Sequence, residues 1–182
     1  LNTSQIMDKF SFVTINTHGL RDQSKVNEII EYCKLKCFDF VLLQETHFAN
    51  KKDVLQFERQ WNGNAYWSYG KWHSCGVGIL VRKNINVNVS SFFHDFEGRL
   101  IMINFSFQKC NYRLVNVYCH NDGRDRKEFL SSLDRYLSGN VNVIIGGDFN
   151  YVDDISLDKC GGNPCRGDTG KIEMSVMCNN FH

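Results

Sequence analysis

The sequence predicts an α/β layered fold with a mixed sheet in a single domain, residues 1–182. Three observations carry that prediction. Short apolar, β-branched runs alternate with stretches of helical period, the order expected of layered α/β chains. Two neighbouring runs are separated only by a short polar turn, which makes them an antiparallel pair. Several runs end in polar residues, and the C-terminal strand ends of such folds are where sites are built.

Taken in order, residues 10–16 are apolar and β-branched, a strand that stops at His18-Gly19. Residues 24–37 place Val26, Ile29, Ile30, Cys33 and Cys37 at three- and four-residue steps, one helical face, with Ser24 as N-cap. Residues 38–43 form a buried strand with the polar ending Gln44-Glu45-Thr46. A short helix is expected over 51–60 and a strand over 76–81. Residues 100–107 and 112–118 pair across a turn at 109–111. The second amphipathic helix covers 125–138 through Phe129, Leu130, Leu133, Tyr136 and Leu137. The last clear strand, 141–145, runs into Gly146-Gly147-Asp148-Phe149-Asn150, and residues 153–182 are polar and Gly-rich with no periodicity.

Composition narrows the classes. The 182 residues, 42% hydrophobic and 23% charged, suit one globular domain with a real core. With 21 basic against 20 acidic residues, overall charge cannot drive nucleic-acid binding, so a DNA partner would need a local basic surface. No apolar run reaches the 18 residues of a membrane-spanning helix, and residues 1–9 hold no signal core. The first residue is Leu rather than Met, as expected of a piece of a longer polypeptide. Eight cysteines without a Cys-x-x-Cys point to free thiols in a reducing compartment. Cys160, Cys165, Cys178 and His182 follow a spacing open to structural zinc, and a Cys-rich chain also produces such spacing by accident.

The strand-end residues carry the chemistry. Glu45 projects just beyond Val41-Leu42-Leu43, either as a ligand for Mg²⁺, which takes oxygen ligands, or as a solvated strand end. The Gly146-Gly147 pair lets the backbone turn tightly and approach a ligand. Asp148 and Asn150 then offer an acceptor and a donor two residues apart, for a ligand or for an Asx-type turn. Asn16 and Tyr118 close two further strands. Asn121, Arg124, Arg126 and Lys127 follow in a polar loop and helix start, where they contact phosphates or form a solvated face with Asp122, Asp125 and Glu128. Trp67 and Trp72 lie in an apparent loop, open to base stacking, with core packing as the alternative.

Together these motifs resemble the endonuclease/exonuclease/phosphatase superfamily. The matching stretches are Thr14-Ile15-Asn16-Thr17-His18-Gly19-Leu20, Leu43-Gln44-Glu45-Thr46, Val115-Asn116-Val117-Tyr118 and Gly147-Asp148-Phe149-Asn150. Their order and spacing look like the apurinic-endonuclease-like domain of LINE-type (non-LTR) retrotransposons. So do Gly76-Val77-Gly78-Ile79-Leu80, Glu97-Gly98-Arg99-Leu100 and the stretch 157–164. The resemblance is clearest over residues 10–165. It implies a deoxyribonuclease-I-like sandwich of mixed β-sheets flanked by helices, and a DNA endonuclease that nicks target DNA for reverse transcription. By the same resemblance, Glu45 and Asn16 hold Mg²⁺ or Mn²⁺, Tyr118 and Asn150 hold the phosphate, and Asp148 aligns the attacking water. A linked reverse transcriptase and a nuclear location are expected from the family. His18 stands where some repair-type relatives carry an acidic residue, which favours the retrotransposon branch. The family's terminal Ser-Asp-His is absent from this sequence, so the last strands are expected to be missing and nuclease activity of the chain to be weak or nil. A phosphoinositide or small-phosphodiester hydrolase of the same superfamily, and a non-catalytic zinc-binding module, are the competing readings.

Overall fold

In the computed structural model, which describes residues 9–71, 74–151 and 170–180, the apolar run Phe40–Gln44 (β2) is buried along its whole length because both of its faces are covered. It lies second in a four-stranded sheet with β1 (Phe12–Asn16), β4 (Val77–Arg82) and β3 (Gly63–Ser68), in the order β1-β2-β4-β3. β1 and β2 are parallel and the other pairs antiparallel. Alternate β2 residues then serve different layers, as the two-residue strand period requires. Val41 and Leu43 pack with Val26, Ile30 and Cys33 of helix α1 (Gln23–Lys36) and with Val54, Phe57 and Trp61 of helix α2 (Lys51–Trp61). Phe40 and Leu42 face the second sheet, against Ile101, Ile103, Phe105 and Leu114.

That second sheet has the order β5 (Asn88–His94), β6 (Leu100–Phe107), β7 (Cys110–Tyr118) and β8 (Asn142–Asp148). β7 and β8 are parallel, the rest antiparallel. Its outer face is covered through Leu100, Val115 and Val117, which meet Leu130, Leu133, Leu137 and Met177. These come from α3 (Gly123–Ser131), the segment after it, α4 (Asp134–Leu137) and α5 (Lys171–Asn180). The four layers run helix, sheet, sheet, helix: the layered sandwich of mixed sheets that the sequence predicts.

Local chemistry explains the helix ends. Asp22 rather than Ser24 caps α1, its side chain accepting from the Ser24 amide. Cys37 is not on the helical face: it takes the left-handed C-cap position at φ 55° and is exposed. Asn50 and Asp122 cap α2 and α3 in the same way as Asp22. The single helix expected over 125–138 is two, because the chain turns at Ser132, whose hydroxyl donates to the Phe129 carbonyl.

Three elements went unread in the sequence. β3 holds Trp67, which is buried against Phe48 and Phe57 with its indole N–H donating to Glu58, so Trp67 is a core residue in a strand rather than a loop aromatic. β5 is a polar edge strand with a bulge between Val89 and Ser91. α5 lies in the stretch taken as structureless, and its amphipathic signal is faint. The β6–β7 turn falls at Gln108-Lys109, both at positive φ as a two-residue primed turn requires, without the Gly or Asn that advertises one. Trp72, Cys160, Cys165 and His182 lie outside the described residues. Cys178 is exposed on α5, and the six described cysteines are free. Among the described residues, no helix is long and apolar enough to cross a membrane.

Candidate active site

Register brings the strand ends together. Asn16 stands beside Gln44 where the parallel pair β1 and β2 stops, and Tyr118 beside Asp148 where β7 and β8 stop. Because the sheets are stacked, both pairs end on one rim. The Asn16 amide nitrogen donates to Glu45 Oε1 at 2.9 Å and to Asp148 Oδ2 at 2.8 Å. The Tyr118 hydroxyl donates to the same Glu45 Oε1 at 2.8 Å. Four of the predicted residues therefore form one hydrogen-bonded cluster. Asn150 adjoins it in another manner: its backbone N–H donates to Asp148 Oδ1 at 2.9 Å, an Asx turn, and one amide hydrogen reaches the Cys119 carbonyl at 2.8 Å.

The glycine pair does not form a tight turn after the strand. Both lie inside β8, and a Cβ on Gly147, at φ 140°, would sit 2.0 Å from the Val117 carbonyl. A Cβ on Gly146 would meet Leu42 of the opposite sheet at 2.7 Å. The pair lets β8 press against β7 and against the first sheet, which carries Asp148 within reach of Asn16.

The rim is also strained. His18, Glu45, His47 and Asn150 take positive φ of 45°, 49°, 58° and 47°. A non-glycine residue in that region costs roughly 1–2 kcal/mol, and neighbours must hold it there. At Glu45 they do: its carbonyl accepts from Gly19 N and Thr17 Oγ1, and the following amides of Thr46 and His47 donate to Gly76 and Cys75.

Burial alone would raise the Glu45 carboxyl. Hydrogen bonds from Asn16, Tyr118 and His18, with the His18 charge, hold it below the usual carboxylate value instead. The cluster thus keeps an ionised carboxylate in a half-buried place. Burial, then the bond to Glu45, pushes the Tyr118 phenol up, so it stays a proton donor. Burial, followed by the Asp148 charge, lifts the Cys119 thiol to about 12, which leaves it inert.

Sequence reasoning gave no place in the site to five neighbours. His18 Nδ1 lies 3.2 Å and His47 Nε2 3.9 Å from Glu45 Oε2. The Arg99 guanidinium lies 5.0 Å above the Tyr118 ring and donates to the Tyr118 carbonyl. Asn116 and Gln44 are hydrogen-bonded to each other beneath the rim. The available signal was a polar residue inside an apolar strand run, Leu114-Val115-Asn116-Val117.

The basic group divides. Arg124 and Asn121 are exposed at the start of α3. Lys127 is exposed and pairs with Glu173 at 3.3 Å. Arg126 departs from its expected place on the surface: it is buried and donates to the carbonyls of His120 and Asn121, so it braces the loop that presents its neighbours. Among the described residues, no three His, Cys, Asp or Glu side chains form a metal cage, and the rim is an open set of oxygen acceptors and amides.

Residues 13–158 match the Endonuclease/Exonuclease/phosphatase family. A Xenopus laevis protein, the transposon TX1 uncharacterized 149 kDa protein, is 30% identical over 145 residues, covering 78% of this chain and 11% of its own length. A DNA-(apurinic or apyrimidinic site) endonuclease of Plasmodium falciparum is 26% identical over 139 residues, 71% of this chain and 20% of its own length. This chain thus spans a fifth or less of these curated relatives. Among solved structures, the catalytic domain of Xenopus laevis APE2 superposes with a TM-score of 0.68 at 17% identity, over 91% of this chain and 67% of that one, a likeness of fold. On the family match and these likenesses, the chain belongs to the endonuclease/exonuclease/phosphatase family, in a form that fits the apurinic-endonuclease-like domain of LINE-type elements.

Proposed function

We propose that this chain is the DNA endonuclease domain of a LINE-type (non-LTR) retrotransposon, a divalent-metal-dependent phosphodiester hydrolase that nicks target DNA ahead of reverse transcription. One observation carries the reading: a single amide, that of Asn16, bridges the carboxylates of Glu45 and Asp148, though Asn16 and Asp148 lie 132 positions apart. A structural turn needs no such convergence; a reacting phosphate does. The transposon-protein relative supports the mobile-element part of the reading; a reverse transcriptase in the same polypeptide and a nuclear place of work are further parts of the proposal.

The donor chemistry fits a hard cation. Glu45, held ionised, and the Asn16 side-chain oxygen are oxygen ligands of the kind Mg²⁺ or Mn²⁺ takes alongside waters and phosphate. Such an ion, when bound, supplies Lewis-acid polarisation of the phosphoryl group. The rest belongs to the chain. Asp148 accepts a hydrogen bond from the attacking water and aligns it in line with the leaving oxygen. The second amide hydrogen of Asn150, and the Tyr118 hydroxyl once it turns away from Glu45, donate to phosphate oxygens as charge builds on them. Asn121, Arg124 and Lys127 contact flanking phosphates, on a loop that Arg126 holds in shape.

Mn²⁺ binding followed by calorimetry, together with nicking of supercoiled plasmid at high protein concentration, tests the proposal. Wild-type uptake of Mn²⁺ and its loss in Glu45→Ala are expected. Nicking should fall on the order of 10²–10⁴-fold in Asp148→Ala. Mn²⁺ uptake that Glu45→Ala leaves intact ends the metal assignment. Release of phosphate from a soluble phosphoinositide while the plasmid stays closed would transfer the site to the phosphoinositide branch.

A further inference from the structure

Beneath the rim lies a polar network that the chemistry above does not use. Asn116 of β7 is fully buried and Gln44, at the end of β2, is 1% exposed. The Gln44 amide donates to Asn116 Oδ1 at 2.7 Å, and its own carbonyl accepts from Thr14 Oγ1 at 3.1 Å. The Asn116 amide donates to the carbonyls of Leu43 at 2.9 Å and Gly78 at 2.8 Å. Two side chains thereby join β1, β2 and β4 of one sheet to β7 of the other, and every partner is a protein group. The side chains packed between the sheets beside them are apolar, Phe40, Leu42, Ile79, Ile103 and Leu114, and on the rim side the gap is crossed by the bonds from Asn16 to Asp148 and from Tyr118 to Glu45.

Apolar contacts hold two sheets together without fixing how far one slides along the other. A directional network fixes it, because a displacement of one residue, or even half of one, breaks several buried hydrogen bonds at once. The position of this network is what gives it a consequence. Gln44 precedes Glu45 directly, and Asn116 lies two residues before Tyr118 on the same face of β7. The bond from Tyr118 to Glu45 crosses the same gap one layer above. We propose that Gln44 and Asn116 are positioning residues that set the offset between the sheets, and so the meeting of the Glu45 and Asp148 halves of the site. The kinetic consequence rests on the reading of the rim as a reacting centre; the geometric consequence does not.

Three variants test it: Asn116→Leu, Gln44→Met and the pair combined, each of similar volume and apolar. The double variant replaces both partners of the Gln44–Asn116 bond, so its loss of stability should be smaller than the sum of the two single losses, although the Thr14 hydroxyl and the Leu43 and Gly78 carbonyls keep no side-chain partner there. Protein labelled with 3-fluorotyrosine then reports on Tyr118 by ¹⁹F NMR, with Tyr118→Phe identifying its resonance. The expected result is a shifted or split Tyr118 resonance in all three variants. The core control Ile30→Val, a buried residue of α1 on the far side of the first sheet, should leave it in place. Nicking, where measured, should lose kcat on the order of 10²-fold with KM little changed, as a small misplacement of reacting groups predicts. A Tyr118 resonance that moves no more than in Ile30→Val overturns the proposal, as does unchanged kcat. If none of the three variants folds, the network serves the fold rather than the site, and the proposal is equally lost. A chain that takes up no metal and cuts nothing still gives the fluorine result, so failure of the nuclease reading is told apart from failure of this one.

Discussion

β2 and β8 each deliver a carboxylate to the rim, but β2 lies between two neighbours while, among the described residues, β8 is the outermost strand of its sheet. All five β2 residues are buried, whereas every β8 residue after the exposed Asn142 is only partly covered. The feet of the strands differ as well. Asp39, just before β2, accepts from the Ser11 amide and hydroxyl and pairs with Arg82 of β4. At the foot of β8 the corresponding tie is an exposed bond from the Asn142 amide to the Asn111 carbonyl. Glu45 thus stands on a strand fixed from every side. Asp148 stands on one fixed by β7, by the glycine contacts and by Asn16. The carboxylate that must stay put sits on the rigid strand, and the other is positioned largely by a bond across the site itself.

The comparison can be broken by truncating each strand. Leu43→Ala removes a fully buried side chain between two packed layers and should cost about 2–5 kcal/mol in urea unfolding. Ile145→Ala on half-covered β8 should cost distinctly less. Equal losses would mean that β8 is as firmly held as β2. Gly147→Ala is the sharper probe of β8 alone. Its Cβ meets Val117 backbone at a φ that disfavours side chains, so a loss above ~1 kcal/mol is expected, with faster amide exchange along β8 than along β2.

The foot of β2 gives a pH test. Burial would raise the Asp39 carboxyl, but hydrogen bonds from Arg82 and Ser11 outweigh it and hold it below the usual value. A depressed folded value means the stabilisation is present above the unfolded carboxylate pKa and disappears as pH falls through the folded one. Asp39→Asn should therefore lose about 1 kcal/mol near neutrality, discounted for the solvent at Arg82, and its stability should be flatter than wild type in acid. Matching acid profiles would remove the clamp from the account. The smallest effect on stability is expected at Arg124→Ala, within about 0.5 kcal/mol, because the side chain is exposed. Its readout is DNA affinity, whose salt slope should fall by roughly 0.9 if one phosphate contact goes.

Strands with strong apolar signal were legible from residues alone: β1, β2, β4, β6, β7 and most of β8. β5 was not, because an edge strand has one neighbour and one wet face and needs no apolar run. β3 was not, because Trp67 and Tyr66 in a short Gly-Asn-flanked stretch pattern like a loop. The site was legible as a set of strand-end residues, but the contacts of its neighbours His18 (noted only as a departure from the family pattern), His47, Arg99 and the buried Gln44-Asn116 pair were not. Each owes its place to chain folding back from a distant strand. Arg126 shows the converse: its type and position suit a phosphate contact, and only packing turned it inward to the carbonyls of His120 and Asn121.

The sequence by itself determined the strongly apolar strands and the first two helices, the strand ends that carry Asn16, Glu45, Tyr118 and Asp148, and the resemblance to a nuclease family, since period, turn chemistry and motif spacing are local properties of a chain. Tertiary structure alone decided that two separate sheets stack with their parallel pairs ending on one rim. It also decided which polar groups are buried between them and which way each long side chain points. Those outcomes depend on contacts between residues far apart in sequence, where burial and hydrogen bonding act on whatever the fold brings near.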